Sequence, residues 1–386
     1  MQYARVVAVL ALLSVSVVAP AQNPPAKGDK ADKGATSKDA TGKDAKPKKD
    51  KSQPISAEEI ASAKRRTERL FGSDEPLEFT LTADFKAAFK SRDTVKVKTT
   101  KATLTVNDSS GAPVVLPVEI ATRGHFRLRN DICNFPPIRL IFPKEGLKGT
   151  PFAGQKALKL GTHCQTRDKE YSEYPVREHA AYEMLNMMTD ASFQSRLAKV
   201  TYVPTGDEKE AVTKLGLLIE DESDMAKRNA GRITTVRGGT FNDMDPSQMA
   251  LVSVFAYFIG NTDWSLYSLH NIRLVSTSDG RYMPVPYDFD WSGVVATRYA
   301  KPDPRLGTKT VQERLFRGPC LTPAALAPVL AKFTDHKADI KALYTRLPLD
   351  DGYRKRTFDY QEEFYHVIGD PRQVKREIIE PCAGGA

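Results

Sequence analysis

Several patterns that identify common enzyme and binding classes are absent from this chain of 386 residues. Its six histidines are scattered and form no H-E-x-x-H motif, which argues against a zinc hydrolase. The sequence contains no G-x-S-x-G elbow, which argues against an α/β-hydrolase. The formal net charge is +9, but no motif of interleaved basic and aromatic residues accompanies it. We therefore predict no nucleic-acid partner.

Long hydrophobic runs are also missing, apart from one near the N-terminus. After Arg5, residues 6–18 are apolar, and Ala19-Pro20-Ala21-Gln22 follows them. This order predicts a signal peptide over residues 1–21, with an uncleaved anchor as the alternative. A transmembrane helix needs roughly 20 apolar residues, so we expect none in the mature chain. The predicted location is outside the cytoplasm, either periplasmic or extracellular and associated with the envelope.

Apolar residues are nearly absent from residues 22–54, which contain nine lysines and five aspartates. Such a segment cannot offset its ordering entropy, so we predict a disordered, lysine-rich linker. One interpretation is a solvated spacer. The other is a tether to an anionic envelope surface, since clustered lysines favour anionic partners.

Cysteine is scarce, and the four that are present match no zinc-binding pattern. Because an exported chain meets an oxidising compartment, two disulfides are the simplest interpretation. Three pairings are open, and we favour Cys133–Cys164 together with Cys320–Cys382.

The remaining residues, 55–386, are numerous enough for one large domain or two lobes. A capping box at Ser56-Ala57-Glu58-Glu59 predicts a helix that ends near Gly72. Strand patterns follow within residues 73–163, with a hairpin turn at 107–111, and indicate a mostly antiparallel sheet. The predicted strands are 78–82, 94–106, 113–122, 136–142 and 157–160.

The second part of the sequence favours helices. Its predicted elements are a helix at about 173–189, strands 197–204 and 212–219, an apolar helix from Asp245 to Gly260, and a helical tail from about 322. The order predicts an α+β pair of lobes, mainly β over residues 55–222 and mainly helical over residues 223–386.

A predicted hairpin carries the most informative polar residues. Residues 272–276 alternate in polarity, Asp279-Gly280 forms a turn, and residues 281–287 return. Position 271 then lies opposite position 288, so we expect Asn271 and Asp288 at the same open end of the hairpin.

Two further carboxylates belong to this predicted group. Asp263 lies on the loop that leads in from the apolar helix, and Asp290 follows Asp288 by two residues. Carboxylate and amide oxygens are the ligands that magnesium prefers, and kinases place an Asp, an Asn and a second Asp in this order. Each residue taken alone is also typical of a turn cap, but the group together favours a functional site.

Between about 115 and 295 the chain resembles the spore-coat CotH family of secreted atypical kinases. The resemblance is carried by segments in the family order, which are Thr122-Arg123-Gly124, Pro137-Ile138-Arg139-Leu140-Ile141-Phe142, Ala157-Leu158-Lys159-Leu160, Val176-Arg177-Glu178, Gly216-Leu217-Leu218-Ile219-Glu220-Asp221-Glu222, Gly260-Asn261-Thr262-Asp263 and Pro286-Tyr287-Asp288-Phe289-Asp290. It implies a two-lobed, atypical protein-kinase-like fold with an antiparallel-sheet N-lobe and a mostly helical C-lobe.

The resemblance also implies an activity and its parts. The protein would transfer phosphate from ATP to a hydroxyl of a protein or other acceptor, with Mg²⁺ or Mn²⁺ as cofactor. The roles it implies are Asp263 as the catalytic aspartate, and Asn271 and Asp288 as metal ligands with Asp290 as a further one. It also implies three cofactor-binding residues: Lys159 on the nucleotide phosphates, Glu222 at an acidic position of the family, and Glu178 as an ion-pair partner of Lys159.

The sequence departs from the kinase pattern in two places. It contains no Gly-rich G-x-G-x-x-G loop, and the step from Asp263 to Asn271 is longer than in typical protein kinases. The alternative is therefore a non-catalytic envelope module, either ligand-binding or purely structural, that retains the same fold.

Overall fold

A computed structural model describes residues 54–93, 96–278 and 280–382. The predicted signal peptide, and all of the predicted linker except residue 54, lie outside the described residues. The first helix, α1 (Ala57–Phe71), begins at the predicted capping box. The Glu59 N–H donates to Ser56 Oγ over 3.2 Å, and the Ser56 N–H donates to the Glu59 carboxylate over 3.3 Å. The predicted start and end of this helix are confirmed.

Seven strands form a closed barrel in the order β1-β2-β3-β4-β5-β7-β6. They are β1 (Leu77–Ala83), β2 (Thr100–Asn107), β3 (Pro113–Thr122), β4 (Ile138–Ile141), β5 (Ala157–Gly161), β6 (Ser195–Pro204) and β7 (Val212–Ile219). In β1 every second residue is buried, which gives the barrel its apolar interior. Neighbouring strands pair antiparallel except β1 and β6, which pair parallel and close the barrel.

The predicted kinase-like fold is wrong, because an antiparallel-sheet N-lobe is not what these strands form. Phe79 and Leu81 of β1 lie beside Val200 and Tyr202 of β6, more than 100 positions later in the chain. Alternation of apolar residues tells which face of a strand is buried, but it does not tell which strand lies next to it. Closure removes both free edges of the sheet, so the seven strands form one mixed barrel.

The other described elements include eight α-helices and a three-stranded sheet in the order β10-β9-β8. The helices are α2 (Phe85–Ala88), α3 (Lys169–Asn186), α4 (Glu222–Arg228), α5 (Pro246–Ile259), α6 (Pro323–Asp335), α7 (Lys337–Arg346), α8 (Asp351–Gly369) and α9 (Pro371–Val374), and the strands are β8 (Arg232–Thr234), β9 (Ile272–Ser276) and β10 (Tyr282–Pro286). A second hydrophobic core joins α3, α5 and the C-terminal helices.

Helix α5 leads directly to the candidate site. Asp245 caps its first turn through the Gln248 N–H at 2.7 Å, and nearly all of its side chains are buried. The helix ends at Gly260, which has a φ of 65°. A Cβ at this position would lie 2.1 Å from the Tyr360 hydroxyl, so the sharp exit needs a glycine. This exit directs the chain into the loop that carries Asp263.

The β9–β10 hairpin exists, but its register differs by one residue from the prediction. Ile272 pairs with Pro286, and the Tyr287 N–H donates to the Asn271 carbonyl over 3.0 Å. Position 271 therefore lies opposite 287 and not opposite 288. Asn271 and Asp288 still share the open end, and both have positive φ, at 50° and 62°.

Both predicted disulfides are confirmed as Cys133–Cys164 and Cys320–Cys382. The first joins the β3–β4 connection to the segment after β5, and the second joins the segment before α6 to the C-terminal end of the described chain. Among the described helices, none is long and apolar enough to cross a membrane.

Candidate functional site

A cleft of about 790 Å³ brings together most of the predicted site residues. Its walls come from the β3–β4 connection, β5, the start of α4, the segment after β8 and the open end of the β9–β10 hairpin. The predicted residues that line it are Lys159, Glu222, Asp263, Asn271, Asp288 and Asp290. Of the predicted site residues, Glu178 alone is not part of the cleft wall, and its side chain is buried.

Asp263 is held by its own loop and by the hairpin. Its backbone N–H donates to the Asn261 side chain over 3.0 Å. The Asn271 amide nitrogen donates to both the carboxylate and the backbone carbonyl of Asp263, each over 2.9 Å. Two elements that are separate in sequence therefore fix the position of this carboxylate.

His270 also contacts Asp263, but it was not among the predicted site residues. Its Nε2 lies 2.9 Å from Asp263 Oδ1, while about half of the side chain is exposed. The hydrogen bond to this carboxylate raises the pKa of His270. The one sequence feature that could have indicated His270 as a site residue is its position directly before Asn271.

The Glu222 cluster consists of Lys159, Glu222, Arg273 and Tyr287. Lys159 Nζ lies 2.7 Å from Glu222 Oε1, and Arg273 Nε lies 2.8 Å from Glu222 Oε2. The Tyr287 ring lies within 4.9 Å of both cations. Burial alone would raise the pKa of Glu222, but hydrogen bonds and charge from Arg273 and Lys159 lower it to about 2. Burial lowers the pKa of Lys159.

The expected ion pair between Lys159 and Glu178 is not formed, because Lys159 pairs with Glu222. Glu178 faces Arg127 instead, with 3.9 Å between its Oε2 and Arg127 Nη1. Arg127 Nη2 donates to Asp288 Oδ1 over 3.0 Å, and its Nε lies 3.3 Å from Asp290 Oδ2. These four residues form the Arg127 cluster.

Two carboxyl groups of the Arg127 cluster are almost completely buried. The Glu178 side chain is 4 % exposed and that of Asp290 is 7 % exposed. Burial raises the pKa of Glu178 to about 8 and that of Asp290 to about 6. Asp290 also accepts a hydrogen bond from the Tyr299 hydroxyl over 2.9 Å. The structure thus places Asp290 where its carboxylate already has two partners.

Asp288 belongs to the Arg127 cluster and also lines the open cleft. Its backbone N–H donates to the Tyr182 hydroxyl over 2.9 Å, and its side chain is 30 % exposed. Tyr182 belongs to α3, so the buried helix fixes the left-handed turn at Asp288. One carboxylate oxygen is bound by Arg127, and the group as a whole still lines the cleft.

Arg127 is the most important site residue that the sequence analysis did not predict. The resemblance selected Arg123-Gly124, whereas Arg127 lies in the short helical turn Phe126–Leu128 that follows. Its partners come from residues 178, 288 and 290, so no local pattern indicates its role. Arg123 lines the cleft as well, and its charge contributes to lowering the pKa of Lys159.

The resemblance implies a divalent cation, and the cleft contains oxygen donors that could bind one. Within residues 54–93, 96–278 and 280–382, no group of three or more His, Cys, Asp or Glu side chains is arranged to hold a metal ion. Asp263, Asn271 and Asp288 nevertheless line one cleft with two carboxylates and an amide, which is a donor set that suits magnesium when water or phosphate completes it. These three residues fit such an ion in their chemistry.

No family model matches the chain, and no curated protein matches it. The likeness to the CotH family therefore depends on the sequence motifs. The geometry of the cleft does not depend on that likeness. The cleft contains a positioned carboxylate, a set of oxygen donors and several cations.

Proposed function

We propose that the protein is an exported, metal-dependent phosphotransferase that moves a nucleotide phosphate to a hydroxyl of a protein or another acceptor. The observation that carries the proposal is the Asp263–Asn271 pair, which shares one cleft with Asp288 and with the cations of the Glu222 cluster. The proposal concerns this site and its chemistry, and it does not depend on a kinase-like fold.

Phosphate recognition is the role we assign to the cations of the cleft. Lys159 and Arg273 share one carboxylate, so the Glu222 cluster keeps an excess of positive charge. Arg123 and Arg237 line the same cleft and add to it. Ionised donors of this kind form strong hydrogen bonds to phosphate oxygens, and arginine offers two at once.

Asp263 is the group we assign to the acceptor hydroxyl. A carboxylate within hydrogen-bond reach of that hydroxyl orients it and takes up its proton during transfer. The amide of Asn271 holds the carboxylate from one side, and His270 holds it from the other. An acceptor would approach from the side of His270, which is the more exposed of the two partners.

Asn271 and Asp288 are the residues that would hold the divalent cation, with Asp263 close by in the same cleft. A divalent cation in such a site neutralises the charge of the phosphate groups. Arg127 positions Asp288 from the buried side, where Tyr182 also fixes the backbone.

The second candidate is a ligand-binding module without turnover. It is favoured by the ion pairs that already engage the key groups, namely Lys159 with Glu222 and Asp288 with Arg127. An anionic ligand that binds between these cations needs neither proton transfer nor a metal ion. Turnover distinguishes the two candidates.

The test uses the full chain with its disulfides formed, labelled ATP, and Mg²⁺ or Mn²⁺. Asp263→Asn and Asp288→Asn are compared with Asp131→Asn, a change at an exposed aspartate outside the cleft. We expect label transfer by the parent and the control, and loss of at least 100-fold in both cleft variants. Thermal stabilisation by the nucleotide without transfer would favour the binding module. The absence of any nucleotide effect under either metal would contradict the phosphotransferase.

A further inference from the structure

A second concave surface, away from the cleft, is lined mainly by cations. It is a groove of about 970 Å³ between α1 and the β4–β5 connection. Its floor contains apolar groups such as Phe142 and Leu147. The charged residues that line it are Arg65, Arg66, Arg69, Lys144, Glu145, Lys148 and Lys156, which amounts to six cations and one acid. We call it the basic groove.

Two of these cations are already bonded within the fold. Arg66 is half-buried and donates to Asp224 of α4 over 2.9 Å. Arg69 Nη1 donates to the Ala153 carbonyl over 2.8 Å, which ties α1 to the opposite wall. The groove is therefore a built feature of the fold, with helix and loop connected across it.

The three lysines are different, because their ammonium groups are left to solvent. Lys144, Lys148 and Lys156 are exposed on the β4–β5 connection, and in the described part of the chain no ion pair involves them. Arg65 lies opposite on α1, and its one acidic partner is the exposed Glu58 at 2.7 Å. Exposed pairs of this kind contribute little and dissociate readily. Cations thus face the groove from both walls.

We propose that the basic groove binds a linear acidic polysaccharide. A concave surface with cations on two walls suits one extended anionic strand, whereas a flat bilayer would contact only the rims. The lysine-rich segment 22–54 joins the fold just before α1, and its like charge excludes it as the occupant. This inference is independent of the proposed function.

The test uses the full chain and measures binding to dextran sulfate, with uncharged dextran of equal length as the neutral probe. The groove variant is Lys144→Glu, Lys148→Glu and Lys156→Glu combined. The matched control, Lys86→Glu, Lys209→Glu and Lys301→Glu, has the same net charge and changes exposed lysines that do not line the groove. Thermal unfolding verifies that both variants fold.

We expect the groove variant to bind dextran sulfate about 100-fold more weakly, since each lysine near an anionic surface contributes roughly fivefold or more. The control should lose less than about fivefold, and the affinity of the parent should fall with salt. Equal losses of affinity in the two variants would overturn the groove as the binding site, because net charge alone would then explain the binding. Equally tight binding to phosphatidylglycerol vesicles, lost by the same three changes, would overturn the polysaccharide in favour of a membrane surface.

Discussion

The Arg127 cluster and the Glu222 cluster both contribute residues to one cleft, but their charges are arranged in opposite ratios. The Arg127 cluster surrounds a single guanidinium with three carboxylates, from Glu178, Asp288 and Asp290. The Glu222 cluster surrounds a single carboxylate with two cations, from Lys159 and Arg273. Each contains a buried or half-buried glutamate.

The difference shows that burial alone does not decide the charge of a glutamate. Burial opposes ionisation in both clusters. Two close cations outweigh it at Glu222, where the pKa falls to about 2. One shared guanidinium at 3.9 Å does not outweigh it at Glu178, where the pKa rises to about 8. The surroundings therefore favour the ionised form of Glu222 and the protonated form of Glu178.

Replacing the single cation of the Arg127 cluster should have the largest effect. We expect Arg127→Met to lower the free energy of unfolding by about 3–5 kcal/mol, because it leaves buried carboxylates without a counter-charge. Urea unfolding at pH 7 measures this loss. The control is Arg129→Met, which removes an exposed arginine paired with the exposed Asp131 and should cost less than about 1 kcal/mol. Similar losses in both variants would contradict the assigned role of Arg127.

The two glutamates should respond differently to the same substitution. Glu222→Gln leaves Lys159 and Arg273 without their carboxylate, and we expect a loss of about 1–3 kcal/mol at pH 7. Burial already favours the protonated form of Glu178, so we expect Glu178→Gln to cost less than about 1 kcal/mol. Urea unfolding of the two variants side by side provides the measurement. A larger cost for Glu178→Gln than for Glu222→Gln would reverse the comparison.

The two clusters should also shape opposite ends of the pH profile of stability. The raised pKa values of Glu178 and Asp290 mean that the folded state keeps protons which the unfolded state releases near pH 4. Their contribution therefore decreases as the pH rises from about 4 to about 8. The lowered pKa of Glu222 gives a contribution that is present above about pH 4.5 and is lost as the pH falls towards about 2.

Thermal unfolding measured from pH 3 to pH 8 tests both of these pH-dependent contributions to stability. Relative to the parent, Glu178→Gln should flatten the decrease above pH 5, and Glu222→Gln should flatten the decrease below pH 4.5. Asp131→Asn is the control, and we expect it to leave the upper slope unchanged. A Glu178→Gln profile that coincides with that of the parent between pH 5 and pH 8 would disprove the protonated state assigned to this residue.

The smallest expected effect concerns His270, at the exposed edge of the same cleft. Its hydrogen bond to Asp263 raises its pKa, so the pairing is fully present below the ordinary histidine value and is lost as the pH rises through the raised one. An NMR titration of the ring protons should show this raised pKa, and Asp263→Asn should lower it towards about 6.5. His366, which lies on α8 outside the cleft, is the internal reference. An unchanged His270 titration in the variant would contradict the pairing.

Local chemistry explains why parts of the fold were predictable. The capping box at Ser56, the exit glycine at Gly260 and the hairpin formed by residues 272–276 and 282–286 each depend on neighbours within a few residues. The register of that hairpin was wrong by one position, because the turn residues alone do not fix where pairing ends. The barrel was not predicted, since the β1–β6 pairing that closes it joins residues more than 100 positions apart in the chain.

The sequence by itself determined the local elements and the set of polar residues at the open end of the hairpin. Its four cysteines also favoured two disulfides. Asp263, Asn271 and Asp288 belong to the polar set because each follows a helix or flanks a strand that the local pattern predicts. Only the tertiary structure decided the partners of these residues. Ion pairs depend on distances of 3–4 Å between side chains that are far apart in the chain. For that reason Lys159 pairs with Glu222, and Arg127, which no motif indicated, holds Asp288.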